Sequence, residues 1–314
     1  WSNPFAILEN EYQSESPTLI VNSQLAYKLL PNLEFKTNLG YTQIHFNDQY
    51  TQPSTGYNPA YGYTAERSRI RKHSSKRDSW LIEPQLTYSL TWNEFNLNAL
   101  LGGTLQKNNA SQTHLYGIGF SSNRLIENIS AAERQFISLD NATTYKYAAL
   151  FSRINFSYRD RYFLNLTGRR DGSSRFGPGK QFSNFGAVGA AWVFSEEDVL
   201  MDTSWLSFGK LRGSFGSTGN DQIGDYQYLD TYTLTGSTYG NVSVLEPSRL
   251  YNPDFSWETT RKLELALETG FLKDRLLFSA AWYRNRSSNQ LVGIPLPATT
   301  GFPSVQANLN ATVE

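Results

Sequence analysis

Large apolar and polar residues alternate along most of this chain with a period of two, the spacing of half-buried β-strands. The cleanest run places Trp80, Ile82, Leu86, Tyr88, Leu90 and Trp92 on one parity and Glu83, Gln85, Thr87, Ser89 and Thr91 on the other. Asn93-Glu94 reverses it, and Phe95, Leu97, Ala99, Leu101 and Leu105 continue against Asn96, Asn98, Thr104 and Gln106. The same reading predicts a hairpin turning at Pro31-Asn32 and another turning at Asp160-Arg161. In the latter, Leu150, Ile154, Phe156 and Tyr158 precede Tyr162, Leu164 and Leu166, opposed by Asn165, Thr167 and Arg169. Val188, Ala190, Trp192 and Phe194 form the next strand, Leu211 and Phe215 belong to another, and a last pair turns between Leu272 and Asp274. Ser195 to Ser204 reads as a capped helical turn with Ser195 as N-cap. His45 to Asp78, about 35 residues after Leu105, and the stretch running to about Glu258 are predicted to be long loops.

Two asymmetries separate a membrane sheet from a soluble one. Short turns and long loops alternate, so all short turns fall at one end. In the strand interiors Lys28, Glu34, Lys36, Glu83, Arg153, Lys210, Arg212, Lys262, Glu264 and Glu268 all sit on the polar parity, and the apolar parity carries charge only near strand tips, at Arg170 and Arg284. A charge facing lipid at mid-membrane costs about 2 to 4 kcal/mol, so that sorting has a physical cause in a bilayer. Strands of about 10 to 13 residues suit tilted membrane crossings better than the five or six residues common in globular sheets. Trp92, Phe95, Tyr158, Tyr162, Trp192 and Phe271 gather at the short-turn end of the apolar parity, where an interfacial girdle belongs. The expected fold is therefore all-β, an antiparallel transmembrane barrel of which about ten strands are present. A soluble β-sandwich is the competing architecture.

Composition narrows the function. With 28 basic and 28 acidic residues there is no global field to recruit nucleic acid. The absence of cysteine excludes disulfides and thiolate metal sites. No stretch is apolar enough for a membrane helix. Ten strands ending abruptly would leave unpaired edges in lipid, so residues 1–314 are expected to be an excised part of a larger barrel domain.

Several long motifs resemble the SusC/RagA-type TonB-linked outer-membrane transporters, members of the TonB-dependent receptor family. They are DRYFLNLTGRRDGSSRFGPGKQFSNFGAVGAAWVFSEE (Asp160 to Glu197), LRGSFGSTGNDQIGDYQYLDTY (Leu211 to Tyr232), the stretch from Asn252 to Glu314, and NPFAILEN near the start. The resemblance implies a barrel of about 22 strands in the outer membrane of Bacteroidota, with short periplasmic turns and long extracellular loops. It also implies an N-terminal plug, TonB as the energy source, a SusD-like surface lipoprotein as lid, and oligosaccharides or peptides as cargo. Relative to that pattern the chain lacks the plug, the TonB-contacting segment and the terminal strands. An importer that leaves its cargo chemically unchanged is the expected function. A non-transporting β-sheet binding module or outer-membrane adhesin is the alternative, an enzyme ranks third, and no cofactor is expected.

The candidate site residues follow. Tyr57, Tyr61, Tyr63, Tyr226, Tyr228, Tyr232 and Tyr239 crowd two long loops, where flat faces with polar tips suit sugar or peptide contacts or loop packing equally. The run Arg169, Arg170, Asp171, Gly172, Ser173, Ser174, Arg175, Phe176, Gly177 misses the phosphate-loop pattern because Pro178 stands where Lys is needed; pairing at a strand tip is the expected role of its charges. Asn220, Asp221 and Asp225 are either calcium ligands or a turn, and the turn is favoured for want of further acidic residues. Glu66 to Asp78 is the one strong basic run, expected as a solvated strand extension, with contact to anionic lipopolysaccharide as the sharper reading. His45, His73 and His114 fall in or beside different predicted loops with no metal-ligand spacing.

Overall fold

A computed structural model describes residues 4–201, 203–240 and 242–313. Among the described residues there are fifteen strands: β1 (Glu11–Glu15), β2 (Thr18–Leu30), β3 (Leu33–Gln52), β4 (Arg69–Trp92), β5 (Phe95–Ile118), β6 (Arg134–Tyr158), β7 (Tyr162–Ser173), β8 (Phe182–Trp192), β9 (Leu206–Asn220), β10 (Thr231–Tyr239), β11 (Val242–Arg249), β12 (Glu258–Phe271), β13 (Leu276–Ser288), β14 (Gln290–Pro295) and β15 (Ser304–Leu309). Eleven form one sheet in the order β1-β3-β4-β5-β6-β7-β8-β9-β12-β13, with β2 also on β3. β10-β11 and β14-β15 are separate two-stranded sheets. The ten strands expected from alternation are β2 to β9, β12 and β13.

β1 and β2 are one edge strand interrupted at Ser16-Pro17. β1 pairs with the far half of β3, Glu11 opposite Thr51. Pro17 has no N–H to give to a ladder, and its carbonyl accepts the His45 amide at 3.0 Å instead.

Two predicted loops are largely strand. β3 continues to Gln52 and β4 begins at Arg69, so only the middle of the 45–78 region is irregular. β5 runs to Ile118 and β6 starts at Arg134, which shortens the next connection likewise. These extensions carry polar residues on both parities, so alternation could not announce them. The predicted helical turn is also corrected: Phe194–Glu196 is a single 3-10 turn whose N-cap is Val193, without a side-chain cap. Ser195 is buried inside it.

The register bears out the parity assignment where strands pair. Leu164 lies opposite Phe156 and Ala190, and Leu166 opposite Ile154 and Val188. Phe215 faces Val188 and Leu263, and Leu265 faces Trp282. On the other face Asn165 faces Asn155, and Glu268 faces Lys210. Leu164, Leu166, Val188, Phe215, Leu265 and Trp282 are all substantially exposed, so the apolar face has no protein covering it. The short turns use left-handed backbone at Asn93, at Arg159 and Asp160, and at Leu272 to Asp274. Two consecutive positive φ values, at Arg159 and Asp160, turn the chain within the three residues between Tyr158 and Tyr162.

Contacts divide the chain into two compact units. Unit 1 comprises Trp1–Ser23, Leu39–Leu81 and Gln106–Thr144; unit 2 comprises Gln24–Asn38, Ile82–Leu105 and Tyr145–Glu314. Unit 1 has a small core of Ile70, Phe120, Ile126 and Ala132. Unit 2 has an aromatic core of Phe176, Phe185, Phe255 and Trp257.

Candidate functional site

On the polar face of unit 2, side chains bond to one another across the strands. The Arg212 guanidinium donates to Glu264 at 2.7 Å and to Glu268 at 3.1 Å. Asn98 donates to Ser89 at 2.9 Å, Thr91 to Asn96 at 2.9 Å, and Asn165 to Asn155. A recess of about 550 Å³ lies over this surface, lined among others by Asn96, Asn98, Asn155, Asn165, Arg212 and Glu264. At the short-turn end of the opposite face, Phe95 stacks on Tyr158 with ring centroids 4.5 Å apart, and Trp205 stacks on Phe271 at 6.0 Å. Tyr162 and the Trp192 indole N–H both donate to Glu197, at 2.5 and 2.9 Å. Those two bonds, the Tyr162 bond foremost, hold the Glu197 carboxyl below its ordinary pKa.

The Arg169–Gly177 run builds a clamp at the long-loop end of β7. Arg169 Nε donates to Asp171 at 2.5 Å and its Nη2 to the Tyr147 hydroxyl, so this pair behaves as expected. Arg175 does not join that pair. Its Nε donates to Asp225 at 3.0 Å, its Nη1 to the Asp221 carbonyl at 2.9 Å, and its guanidinium lies 4.4 Å from the Tyr145 ring centroid. Tyr145 donates to Asp221 Oδ2 at 2.8 Å. Burial, reinforced by that bond to a carboxylate, pushes the Tyr145 phenol well above its ordinary pKa. Ser174 Oγ accepts from the Lys146 amide at 2.9 Å and Ser173 Oγ from the Arg175 amide at 3.3 Å. Phe176 is fully buried against Phe255 and Trp257, and the Trp257 indole donates to the Gln181 carbonyl at 2.9 Å. Gly172 admits the Phe182 ring where a Cβ would sit 2.4 Å from it.

Two motifs that read separately in sequence therefore meet. Asp221 and Asp225 are turned on Arg175, and among the described residues no group of three His, Asp or Glu side chains is placed to hold a metal ion. The signal for the pairing was opposite charge in consecutive loops at the same end of the sheet. The aromatic core carried none, since Phe255 and Trp257 sit in a stretch without alternation.

Three of the seven tyrosines belong to unit 1 and four to unit 2. In unit 1, Tyr57 and Tyr61 each bring their ring centroids to 5.4 Å from that of Tyr63, and Arg67 lies 5.1 Å from the Tyr63 ring. Arg69 donates to the Tyr57 hydroxyl at 2.9 Å, while Tyr61 and Tyr63 are exposed. In unit 2, Tyr228 packs on Gly177 and the aromatic core, a loop-packing role. Tyr226 has left-handed backbone, and its carbonyl accepts from Arg249 at 3.1 Å. Tyr232 and Tyr239 stand exposed on β10. From Arg69 onward the basic run is the first part of β4, as the strand-extension reading expected, while Glu66 and Arg67 lie in a 3-10 turn, Ala65–Arg67.

The histidines depart from the sequence reading. They lie on strands, and His73 of β4 meets His114 of β5 with ring centroids 4.3 Å apart. His73 Nδ1 is 3.2 Å from Asp48 Oδ2 on β3.

Comparison with known proteins decides the class. The model of the TonB dependent receptor-like β-barrel family matches residues 2–313. The chain belongs to that family. A TonB-dependent receptor of Formosa agariphila is 29% identical over 316 residues, covering 99% of this chain and 30% of the relative. The TonB-dependent receptor SusC of Bacteroides thetaiotaomicron is 28% identical over 318 residues, covering 96% and 30%. The structure of the RagAB peptide transporter superposes with a TM-score of 0.88 at 24% identity over 97% of this chain and 34% of that one, a likeness of fold. The chain thus spans about a third of the length of the relatives it matches.

As a TonB-dependent receptor barrel segment, the chain resides in the outer membrane. Leu164, Leu166, Val188, Phe215 and Leu265 face lipid, and Asn165, Arg212 and Glu264 face the barrel interior. The aromatic ends of the strands and Glu197 mark the periplasmic interface, and the Arg175 clamp and the tyrosines lie on the extracellular side.

Proposed function

We propose that this barrel segment is part of the wall of a TonB-dependent importer that carries a bulky nutrient, an oligosaccharide or a peptide, across the outer membrane unchanged. What supports the reading is a continuous interior face of cross-bonded amides, arginine and carboxylates behind a lipid-facing apolar one, in a chain similar to SusC and to the RagAB transporter. Such a face stays wet and offers many exchangeable hydrogen bonds. A large polar cargo can cross it without any single strong trap.

The Arg175 clamp acts in this reading as a strand-tip brace that holds the extracellular loops in register. Exposed Tyr61, Tyr63, Tyr232 and Tyr239 offer aromatic faces to cargo or to a SusD-like lipoprotein lid. Lys72 and Lys76, exposed or half-exposed on the extracellular part of β4, suit contact with anionic lipopolysaccharide. Energy enters through TonB and a plug carried by other parts of the full-length protein.

Deletion of the full-length gene, followed by uptake of fluorescently labelled oligosaccharides and peptides, tests the proposal. Loss of uptake for one cargo class, restored by the gene and abolished by dissipating the proton gradient, is expected. Surface binding without uptake would replace the importer by a non-transporting binding module.

A further inference from the structure

Three side chains on the extracellular part of unit 1 form an arrangement that the import reading does not use. Asp48 accepts from His73 Nδ1 at 3.2 Å, which fixes the tautomer and leaves His73 Nε2 as a lone-pair donor. His114 stands edge to face against it, with ring centroids 4.3 Å apart. The Nε2 atoms of both rings are buried and have no hydrogen-bonding partner among the described residues. One buried ring nitrogen without a partner is uncommon, and two in rings that touch ask for a shared cause.

We propose that His73 and His114 are the protein ligands of a divalent transition-metal ion, zinc or copper, bound through their Nε2 atoms, with Asp48 as the positioning residue. A carboxylate on the far nitrogen of a ligating imidazole is the usual outer partner in such sites, where it orients the ring and raises its basicity. Imidazole nitrogen selects the borderline metals Zn²⁺, Cu²⁺ and Ni²⁺ over Ca²⁺ and Mg²⁺, which take oxygen. Metal–nitrogen bonds of about 2.0–2.1 Å require the two ligand atoms to lie within roughly 4 Å of each other, a scale matched by rings whose centroids are 4.3 Å apart.

Phe46 flanks His73 at 5.6 Å between ring centroids. A recess of about 460 Å³, lined by Asn47, Asp48, Lys72, His73 and Thr113, gives access. The His73 side chain as a whole is 25% exposed, although its Nε2 is buried. Since no third His, Cys, Asp or Glu is placed to cage the ion among the described residues, the site is an open, exchangeable one.

The test uses the full-length receptor, purified in detergent and stripped with a chelator, and does not depend on transport. Titration with Cu²⁺ followed by electron paramagnetic resonance is expected to show one saturable equivalent with nitrogen superhyperfine coupling from two imidazoles. His73→Gln and His114→Gln should each weaken that equivalent at least tenfold, and Asp48→Asn by about tenfold. A crystal soaked in Zn²⁺ should give anomalous density between the two rings, a readout that needs no variant. Either an equivalent indifferent to all three substitutions or anomalous density elsewhere only would overturn the proposal.

Discussion

Arg175→Gln is the sharpest perturbation of the extracellular clamp. The guanidinium is 20% exposed, and it donates to Asp225 at 3.0 Å and to the Asp221 carbonyl at 2.9 Å. The Asp221 side chain, 10% exposed, would keep only the Tyr145 hydroxyl, and Asp225 would lose its cation. Removing one member of a fully buried ion pair costs about 3–5 kcal/mol, and partial solvent access here lowers that to about 2–4 kcal/mol. Global unfolding of a barrel is a poor reporter of so local a change, whereas hydrogen exchange reads opening of the loop directly. At about 1.4 kcal/mol per decade, amides of residues 173–181 and 221–230 should exchange roughly 30- to 900-fold faster in the full-length variant. Asp225→Asn should cost less alone, and the double variant should fall short of the sum by about 1 kcal/mol or more. Exchange within threefold of wild type, or strict additivity, would refute the clamp as the fastening of these two loops.

Further outcomes follow from the same geometry. Phe215→Lys puts a charge into lipid at the level of Val188 and Leu263 and should cost about 2–4 kcal/mol, read as loss of heat-resistant folded receptor on unboiled gels. Ser214→Lys, one residue away and opposite Glu264 on the interior face, should leave that band unchanged. Gly219→Ala places a Cβ 2.0 Å from the Phe185 ring and should destabilise by about 1–3 kcal/mol, with part of the loss recovered in a Phe185→Leu background. The phenol of Tyr145 has a pKa raised above the ordinary 10.0, first by burial and then by Asp221. The folded state therefore holds that proton more tightly than the unfolded chain, so the contribution is complete below about pH 10 and is lost as pH rises beyond it. Loop exchange should accelerate above pH 10 beyond its intrinsic base dependence, and Tyr145→Phe should abolish that excess.

The membrane-crossing half of the fold was legible because a bilayer and a wet interior impose opposite chemistry on successive residues. Leu164, Asn165, Leu166 and Thr167 could hardly be arranged otherwise. Beyond the bilayer both faces meet water and the constraint lapses, so alternation alone placed Arg69 to Asp78 in a loop, although the basic run there is the solvated strand extension that its charge suggested. Ser195 looked like a cap because it is the right kind of short polar residue, but the 3-10 turn begins one residue earlier, at Phe194, and leaves Ser195 buried within it. The clamp was half legible. Arg169 and Asp171 are two residues apart, while the partners of Arg175 lie 46 and 50 residues further on. The contact between His73 and His114 joins the extensions of β4 and β5 beyond their alternating stretches, where the sequence pattern read loops.

The central claim is that one face of β7, β8, β9, β12 and β13 meets lipid and the other the barrel interior. These 314 residues contain no cysteine, so single substitutions report without background from this segment. Cysteine introduced one at a time from 163 to 167 and from 211 to 215 in the full-length receptor, in intact outer membranes, should alternate strictly. Positions 163, 165, 167, 212 and 214 should react with a water-soluble maleimide once the plug is displaced by urea, while 164, 166, 211, 213 and 215 react only with a lipid-soluble reagent. Uniform reactivity of both parities towards the water-soluble maleimide would contradict the account.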